Sequence, residues 1–268
     1  MKTITRFITS KNRHKVALCS LSLLALFLLV WHLGTSGQGG PGAGLPGPAA
    51  VAHTAAELLR DPFYDHGPND KGIGLQLAHS LSRLLLGYGL GSLAAIFLGV
   101  VLGLNPVLYR AFNPFIQVLK PISPLAWMPL FLYTIQDSGK AGLLVIFMSS
   151  LWPTLANTAF GVAGIKRDYL NVASILQLPW AKKLFRVILP AAAPAIVAGL
   201  RISMGAAWIA IVAAEMLVGG TGIGYFVWNE WNNLALTNVI FTILTIGLIG
   251  VLLDSGLARL SKSLSYIE

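Results

Sequence analysis

From Asp168 to Pro194 the chain reads DYLNVASILQLPWAKKLFRVILPAAAP, and this stretch decides the fold. It is basic and helix-forming, and it lies between two long apolar segments. Hydrophobic residues make up 55% of the 268-residue chain and charged residues only 11%, whereas about one quarter of the residues are charged in a soluble protein. We therefore interpret the stretch as a projection from a membrane-embedded bundle, placed where a partner can push on it.

Six apolar runs predict an all-α integral membrane protein with about six transmembrane helices. Each run is long enough to cross a bilayer as a helix. No alternating period-two pattern occurs, and a backbone in lipid needs a helix or a closed barrel. The runs are Val16 to Leu33, Leu84 to Leu104, Phe115 to Ile135, Ala141 to Val162, Ala195 to Val218 and Val239 to Leu260.

The distribution of Lys and Arg predicts that both termini face the cytoplasm, since inner segments carry the excess of these residues. With the N-terminus inside, the outer segments hold only Arg60, Lys71 and Lys140, with Arg83 at an outer boundary. The net charge of +9 follows from this sidedness and gives no support to nucleic-acid binding. The inner segments and helix ends hold Lys2, Arg6, Lys11, Arg13, Lys15, Arg110, Lys120, Lys166, Arg167, Lys182, Lys183, Arg186, Arg201, Arg259 and Lys262.

The first apolar run is predicted to be a retained signal anchor, because it ends without a small-x-small cleavage site. The single cysteine, Cys19, lies within this run and offers no disulfide. The predicted organisation is a cytoplasmic N-terminus at 1–15, the anchor at 16–33, a periplasmic loop at 34–76 and the membrane domain at 77–264. The projection occupies 164–190 of that domain.

The periplasmic loop begins with a Gly- and Pro-rich linker at 34–48. Apolar residues from Val51 to Leu59 then recur at helical spacing, which predicts a short amphipathic helix on the outer membrane surface. The polar segment that follows contains Asp65, His66 and Asp70, whose spacing fits a solvated turn better than a metal site.

Small residues and prolines mark the apolar runs. A small residue recurs every four positions along the second run, so one helix face allows close backbone approach. Packing within the chain is the favoured interpretation, and a sliding surface during gating is the other. Prolines in three other runs predict broken helices, which membranes tolerate beside cavities or protein and which favour a transporter. The small residues are Gly87, Gly91, Ala95, Gly99 and Gly103, and the prolines are Pro121, Pro124, Pro129, Pro153, Pro190 and Pro194.

The projection is predicted to form two helices. Asp168 is placed to cap a first helix that runs to Leu178, and Pro179 then breaks it. A second helix is predicted over 180–189 and ends at Pro190. Its apolar residues share one arc and its basic residues lie opposite. Taken alone, this pattern fits a helix at the membrane interface as well as a docking element.

The projection resembles the cytoplasmic loop of ABC importer permeases, whose pattern is EAA, then Gly, then I-x-L-P at a fixed distance. The matching positions are Asn171, Val172 and Ala173 at the EAA, Gln177 at the Gly, and Ile188, Leu189 and Pro190 at the end. Asn replaces Glu and Gln replaces Gly, so the sharp turn is assigned to Pro179. The resemblance implies that this loop docks an ATPase, and we expect Ala173 to face the docking groove.

A longer segment, GLRISMGAAWIAIVAAEMLVGGTGIGYFVWNEWNN at 199–233, is similar to the branch of these permeases that moves nitrate, sulfonates and taurine. GPNDKGIG at 67–74 and WNEWNN at 228–233 resemble the nitrate permeases in particular, and the similarity covers nearly the whole chain after Leu45. The resemblance implies a type I ABC importer permease fold and transport of a small anion, first nitrate, with bicarbonate, cyanate or sulfonate and taurine as alternatives.

The resemblance also implies the partners. They are a second copy of the chain, two cytoplasmic ATPase subunits that bind ATP and Mg, and a periplasmic anion-binding protein, all at a bacterial inner membrane. The chain itself needs no cofactor under this interpretation and is not the ATPase. The segment from Ser138 to Ala141 lacks both the upstream Gly and the Ser or Thr after Lys140 that a Walker A sequence has.

Ionisable residues within spans are functional candidates. Arg83 and Glu215 both lie near outer ends, where Arg83 either attracts an anion or forms a structural ion pair with Glu215. The pair is favoured, because an unpaired charge there is costly. Arg201 lies about 21 Å from Glu215 along the helix, so it is expected to pair with Asp254 instead, at the inner face. The remaining candidates for the pathway are Trp127, Met128 and Asn157.

Two other classes of protein are weighed against this interpretation. A secondary transporter should show inverted internal repeats, which the sequence does not. A membrane-embedded enzyme should concentrate His, Asp or Glu within its spans, and here they are scattered. A neighbouring ATPase gene, or loss of uptake on ATP depletion, separates an ATP-driven importer from a secondary transporter.

Overall fold

The computed structural model describes residues 10–36, 44–67 and 69–264. Most of the predicted N-terminal tail, the middle of the Gly- and Pro-rich linker and Pro68 lie outside these ranges. Within them, the regular structure is helical except for an isolated bridge between Asp65 and Lys71. The helices are α1 (Ser10–Ser36), α2 (Pro48–Leu58), α3 (Ile73–Leu104), α4 (Pro106–Leu119), α5 (Met128–Ile135), α6 (Ser138–Ala163), α7 (Arg167–Ile175), α8 (Trp180–Lys183), α9 (Leu189–Val218), α10 (Ile223–Asn232) and α11 (Leu236–Leu264), with a 3-10 turn at Pro124–Trp127 and a π-helical segment at Leu184–Ile188.

Five helical stretches of the described chain are long and apolar enough to cross a membrane, and a bent pair makes a sixth. The all-α architecture with about six spans is therefore confirmed. The five stretches are Lys15–Ser36, Ile73–Leu104, Ser138–Ala163, Trp180–Val218 and Leu236–Ser261.

The third predicted run is not one helix, which corrects the prediction for Phe115 to Ile135. α4 begins earlier, at Pro106, and ends at Leu119. The chain then bends by 83° before the segment Pro124–Ile135. Pro121 and Pro124 lie at this bend, and proline both removes a backbone donor and clashes with the preceding helical turn.

The fifth span is longer than predicted, whereas the third is broken. Pro190 was predicted to end a helix, and it does not. The chain is helical without interruption from Trp180 to Val218. The π-helical segment before Pro190 accommodates the proline: the Leu189 N–H bonds to the Leu184 carbonyl five residues earlier. Such a widened turn relieves the contact that proline otherwise makes with the turn before it.

The centre of the bundle is the packing of α3 on α6 and of α6 on α9, the two most extensive helix contacts. The small-residue face of α3 lies directly on α6. A Cβ added to Gly91 would lie 2.1 Å from Ser150 Oγ, and one added to Gly99 would lie 2.6 Å from Thr158 Cβ. The face therefore serves helix packing within the chain, the favoured interpretation of its spacing.

Two outlying helices flank the bundle. From residue 15 onward α1 has no buried side chain, and it meets α2, near which the Trp31 indole donates to the Pro46 carbonyl at 3.1 Å. The predicted amphipathic helix is present as α2, but it does not lie free on the membrane surface. It packs on α11, with Val51 buried and Leu58 against the main core.

Candidate functional site

A buried polar cluster occupies the end of the bundle that is predicted to face outward, which we call the outer end. Its centre is Glu215, near the end of α9, with only 4% of its surface exposed. The Ser80 hydroxyl lies 2.9 and 2.7 Å from the two carboxylate oxygens. Arg83 Nη1 donates at 3.1 Å and the Gly224 N–H at 3.1 Å. A buried carboxylate is tolerated only with such partners.

A glycine-rich turn between α9 and α10 closes over this carboxylate. Gly222 has φ +131°, and a Cβ there would lie 2.1 Å from Glu215 Cδ. At Gly224 a Cβ would lie 2.0 Å from the Val212 carbonyl oxygen. Only glycine permits this approach. The amide of Ile223, which lies between these two glycines, donates to Ser80 Oγ at 2.7 Å, so the turn is bonded to α3.

Arg83 joins the carboxylate to the turn, and its expected ion pair with Glu215 is present in the structure. Its Nη1 also donates to the Thr221 carbonyl at 2.6 Å, and its Nη2 to Thr221 Oγ1 at 2.7 Å. The side chain is about one quarter exposed, towards a narrow crevice between α3, α6 and α9. This bonding fits a structural role for Arg83.

A second ion pair, between Arg201 on α9 and Asp254 on α11, lies in the middle of the bundle. Nε donates to Oδ1 and Nη2 to Oδ2, both at 2.6 Å. The two residues pair as expected, but they were expected at the inner face of the bundle, and the structure places them deeper. The neighbouring Leu200 carbonyl accepts from the Tyr88 hydroxyl at 2.9 Å, and Tyr88 lies midway along α3. The pair therefore lies level with the middle part of α3, and Asp254 lies seven residues before the end of the apolar stretch Leu236–Ser261.

The three other pathway candidates are not brought together. Met128 is buried in a core cluster with Ala141 and Ala214, although it also lines the crevice beside Arg83. Trp127 is half-buried, and its ring stacks on Phe131 with centroids 6.4 Å apart. The Asn157 amide donates to the Pro153 carbonyl of its own helix at 2.8 Å. None of these contacts assigns a transport role.

The polar segment between α2 and α3 forms the predicted turn. The Asp65 carboxylate accepts from Lys71 Nζ and, at 3.1 Å, from the Gly67 N–H. These two donors hold the pKa of Asp65 below its ordinary value, the lysine contributing most. The Tyr225 hydroxyl of α10 donates to Asn69 of the same segment at 2.9 Å. The turn is thereby joined to the outer end of the bundle.

The projection at 164–190 differs from the prediction at both ends of its first helix. α7 begins after Lys166, so Asp168 lies in the first turn and does not cap it; a negative charge there still favours the helix. The C-terminal turn is made by Gln177, at φ +49°, and not by Pro179. The N–H groups of Gln177 and Leu178 donate to the Ser174 and Ala173 carbonyls at 3.0 and 3.1 Å. This is the Schellman arrangement, which places the family's glycine position in the left-handed region.

Ala173 faces inward, which corrects the expectation that it faces a docking groove. It is 1% exposed, on a helix that packs against the π-helical segment. Ile188 is also fully buried, whereas Leu189 and Pro190 are half-buried and Asn171 and Gln177 are exposed. Several apolar residues of the projection are exposed, Phe185 among them. Four of these, Val172, Ile175, Leu176 and Trp180, lie at or near the turn between α7 and α8, and we call these four the coupling surface.

Sequence reasoning missed the polar partners of the outer cluster. Besides Ser80, they include Gln76, whose Oε1 accepts from the Gly222 N–H at 2.6 Å, and Thr221. A signal was present, because Gln76, Ser80 and Arg83 recur at helical spacing and so share one face of α3. Three polar residues on one face of an otherwise apolar helix indicate a buried polar contact.

Comparison with known proteins agrees with this architecture. Residues 87–266 match the family described as the binding-protein-dependent transport system inner membrane component. The chain is 39% identical over 239 residues to the nitrate import permease protein NrtB of Synechocystis sp., covering 89% of this chain and 86% of that one. It is 40% identical over 242 residues to the bicarbonate transport system permease protein CmpB of Synechocystis sp., covering 88% and 84%.

A solved structure of the MetNI methionine ABC transporter, in inward-facing conformations, shares the fold with a TM-score of 0.60 at 14% identity, covering 70% of this chain and 93% of that one. The family match spans α4 to α11 and the second half of α3, which includes the Arg201–Asp254 pair, Glu215 and the projection, but it begins after Arg83. The chain therefore belongs to the binding-protein-dependent transport system inner membrane components, the permease subunits of ABC importers.

Proposed function

We propose that the chain is the membrane-spanning subunit of an ATP-driven importer for a small anion, nitrate in the first place. Two copies form the pathway in a bacterial inner membrane, with all termini in the cytoplasm. Two ATPase subunits bind ATP and Mg and dock on the projection, and a periplasmic binding protein delivers the anion. The observation that carries this proposal is the exposed coupling surface on a projecting helix of a permease-family chain.

The coupling surface is suited to contact the ATPase subunits and to transmit their movement. All four apolar side chains are exposed; three lie outside the candidate spans, and Trp180 begins one of them. Contiguous exposed apolar residues indicate a protein contact. The Schellman turn fixes the C-terminal end of α7, and the buried Ala173 lies on a helix that packs against the π-helical segment. ATPase closure therefore displaces the whole helix pair as a rigid body.

One continuous helix connects this surface with the outer cluster. Trp180, a member of the coupling surface, begins the 39-residue helical stretch that ends at Val218, a length of about 58 Å. Glu215, the centre of the outer cluster, lies in the last turn of the same stretch. A displacement at the projection can thus reach the turn over Glu215 along a single continuous helix.

The choice of nitrate is supported by similarity, because a relative that covers 89% of this chain is named a nitrate import permease protein. At the outer end, Asn69 of the first segment that resembles nitrate permeases accepts from Tyr225, three residues before the second such segment. Within that second segment, Glu230 accepts from Asn238 of α11 at 2.6 Å. Bicarbonate is the second candidate, because a relative with that printed name is as similar as the nitrate relative. Cyanate and sulfonate or taurine remain the further alternatives.

The test of the proposed function is ATP hydrolysis by the reconstituted complex with its binding protein, measured with each anion in turn. We expect nitrate to stimulate hydrolysis at the lowest concentration. Stimulation by bicarbonate but not by nitrate would select the second candidate. If no anion stimulated hydrolysis and uptake into cells survived ATP depletion, the chain would not be part of an ATP-driven anion importer.

The docking assignment predicts a specific effect of Ile175→Asp. Ile175 is 79% exposed, so a charge there leaves the fold intact but is desolvated when the ATPase covers it. We expect ATPase subunits to bind at least about tenfold more weakly, as for a central interface residue, in pull-down from detergent. Leu234→Asp is the matched control, because Leu234 is equally exposed but lies at the outer end. Equal recovery of ATPase with both variants would refute the assignment.

A further inference from the structure

The Arg201–Asp254 pair is half-exposed although it lies at the middle depth of the bundle. The exposed fractions of the two side chains are 47% and 50%. Space beside the pair is open: a Cβ added to Gly205, one turn further along α9, or to Gly247, two turns earlier on α11, would meet no atom within 4 Å. Charged groups at membrane depth avoid lipid and face water or protein. The pair itself is therefore expected to meet water or protein, although its exposed neighbours Ile202 and Val251 are apolar.

The guanidinium of Arg201 has donors to spare. Asp254 occupies Nε and one N–H of Nη2. Arginine carries five N–H donors in a planar fork, and among the described residues no acceptor within hydrogen-bond distance faces Nη1. The edge formed by Nη1 and Nη2 is thus directed away from Asp254. That edge presents two parallel N–H groups, the geometry that binds two coplanar oxygens of one anion.

The charge of Asp254 sets how strongly this edge can hold an anion. Both carboxylate oxygens are bonded to Arg201, so the pair as a whole is neutral. An anion therefore meets oriented donors without an uncompensated positive charge. Transport requires a site that attracts the solute and still releases it. A paired arginine meets both requirements better than a lone one, which would retain the anion.

We propose that the Nη1–Nη2 edge of Arg201 is a mid-membrane transfer site for a planar, singly charged oxyanion, with Asp254 as the residue that positions the guanidinium and weakens its hold. This inference rests on the proposed function of anion import and adds to it the site and the shape of the ligand. Nitrate and bicarbonate share that shape, so the site serves either anion. The transfer site lies on the transport pathway, and the open space at Gly205 and Gly247 is water-filled in the assembled importer.

The first experiment tests the edge. Arg201→Lys keeps the charge and a bond to Asp254 but loses the planar fork. We expect uptake of nitrate, or of bicarbonate if that anion drives hydrolysis, to fall at least about tenfold, while the yield of assembled complex matches that of wild type. Wild-type uptake by Arg201→Lys would overturn the inference. The proposed function is judged separately, by anion-stimulated hydrolysis in the unaltered complex.

The second experiment tests whether the space beside the pair is aqueous and does not depend on transport. In a Cys19→Ser background, Gly205→Cys is expected to react with a membrane-impermeant, charged thiol reagent in at least one nucleotide state of the assembled complex, and nitrate is expected to slow the reaction. Leu93→Cys, an exposed apolar position on α3, is the lipid-facing control and should stay unlabelled. Absence of labelling at Gly205→Cys in every nucleotide state would overturn the inference.

Discussion

Replacing Gly91 and Gly99 together by leucine is expected to abolish the recovery of folded protein from detergent-solubilised membranes. At Gly91 even a Cβ would lie 2.1 Å from Ser150 Oγ and 2.7 Å from the Phe147 carbonyl oxygen. The hydroxyl can rotate away, but the backbone oxygen cannot. Overpacking costs about 1–3 kcal/mol per site. Two such sites on one interface therefore cost about 2–6 kcal/mol, which reaches the lower end of the stability of a typical domain, about 5–15 kcal/mol.

Gly89→Leu is the matched control for this experiment, because a Cβ at Gly89 would meet no atom within 4 Å. The substitution is chemically the same and lies on the same helix, between two of the close contacts. We expect its yield and thermal unfolding midpoint to match those of wild type, by size-exclusion chromatography and a thermal shift assay. A double variant with the same midpoint as this control would show that the small-residue face does not pack on α6.

The close contact of α3 with α6 could be predicted from sequence because it depends on a spacing alone. Small residues four positions apart share a helix face whatever surrounds the helix. The number of spans could also be predicted, since it depends on the length of the apolar runs. Both properties belong to a single helix and need no knowledge of its neighbours.

Helix ends were harder to predict, because tertiary context decides what proline does. Pro121 and Pro124 accompany an 83° bend, whereas Pro190 lies in a helix that continues through a π-helical turn. The sequence contains the same residue in each case. The depth of Arg201 was predicted wrongly for the same reason. The level of Arg201 in the bundle depends on where its helix begins, at Trp180, and on the bond from Tyr88 to Leu200, and the sequence reveals neither.

The charged members of the candidate sites could be predicted, but their polar partners and orientations were not. Charges within apolar runs are few, so the pairs Arg83–Glu215 and Arg201–Asp254 followed from position and sign. The inward orientation of Ala173 depends on how α7 packs, which its own sequence does not reveal. The left-handed turn at Gln177 was hidden because glutamine stands where glycine is usual.

The outer cluster should respond to charge removal as a coupled unit. Arg83→Gln alone leaves Glu215 buried with only Ser80 and Gly224 as donors, and breaking a buried pair costs about 3–5 kcal/mol. Glu215→Gln alone leaves the Arg83 guanidinium without its carboxylate. The double variant is expected to be less destabilised than the sum of the two, with a coupling energy of about 1–3 kcal/mol in a thermodynamic cycle.

Unfolding in detergent and nitrate uptake together decide between the two roles of Arg83. The structural role predicts a lower unfolding midpoint for Arg83→Gln that Glu215→Gln partly restores, since the second change removes the buried charge left unpaired by the first. An anion-attracting role predicts reduced uptake at an unchanged midpoint, because the bonds from Ser80 and Gly224 to Glu215 would then suffice for the fold. Lys140→Gln, an exposed basic residue at the same end, controls for the general loss of positive charge. Because Arg83 is bonded to Thr221 and Glu215 at once, we expect the structural result, and a single variant with unchanged uptake and stability would exclude both roles.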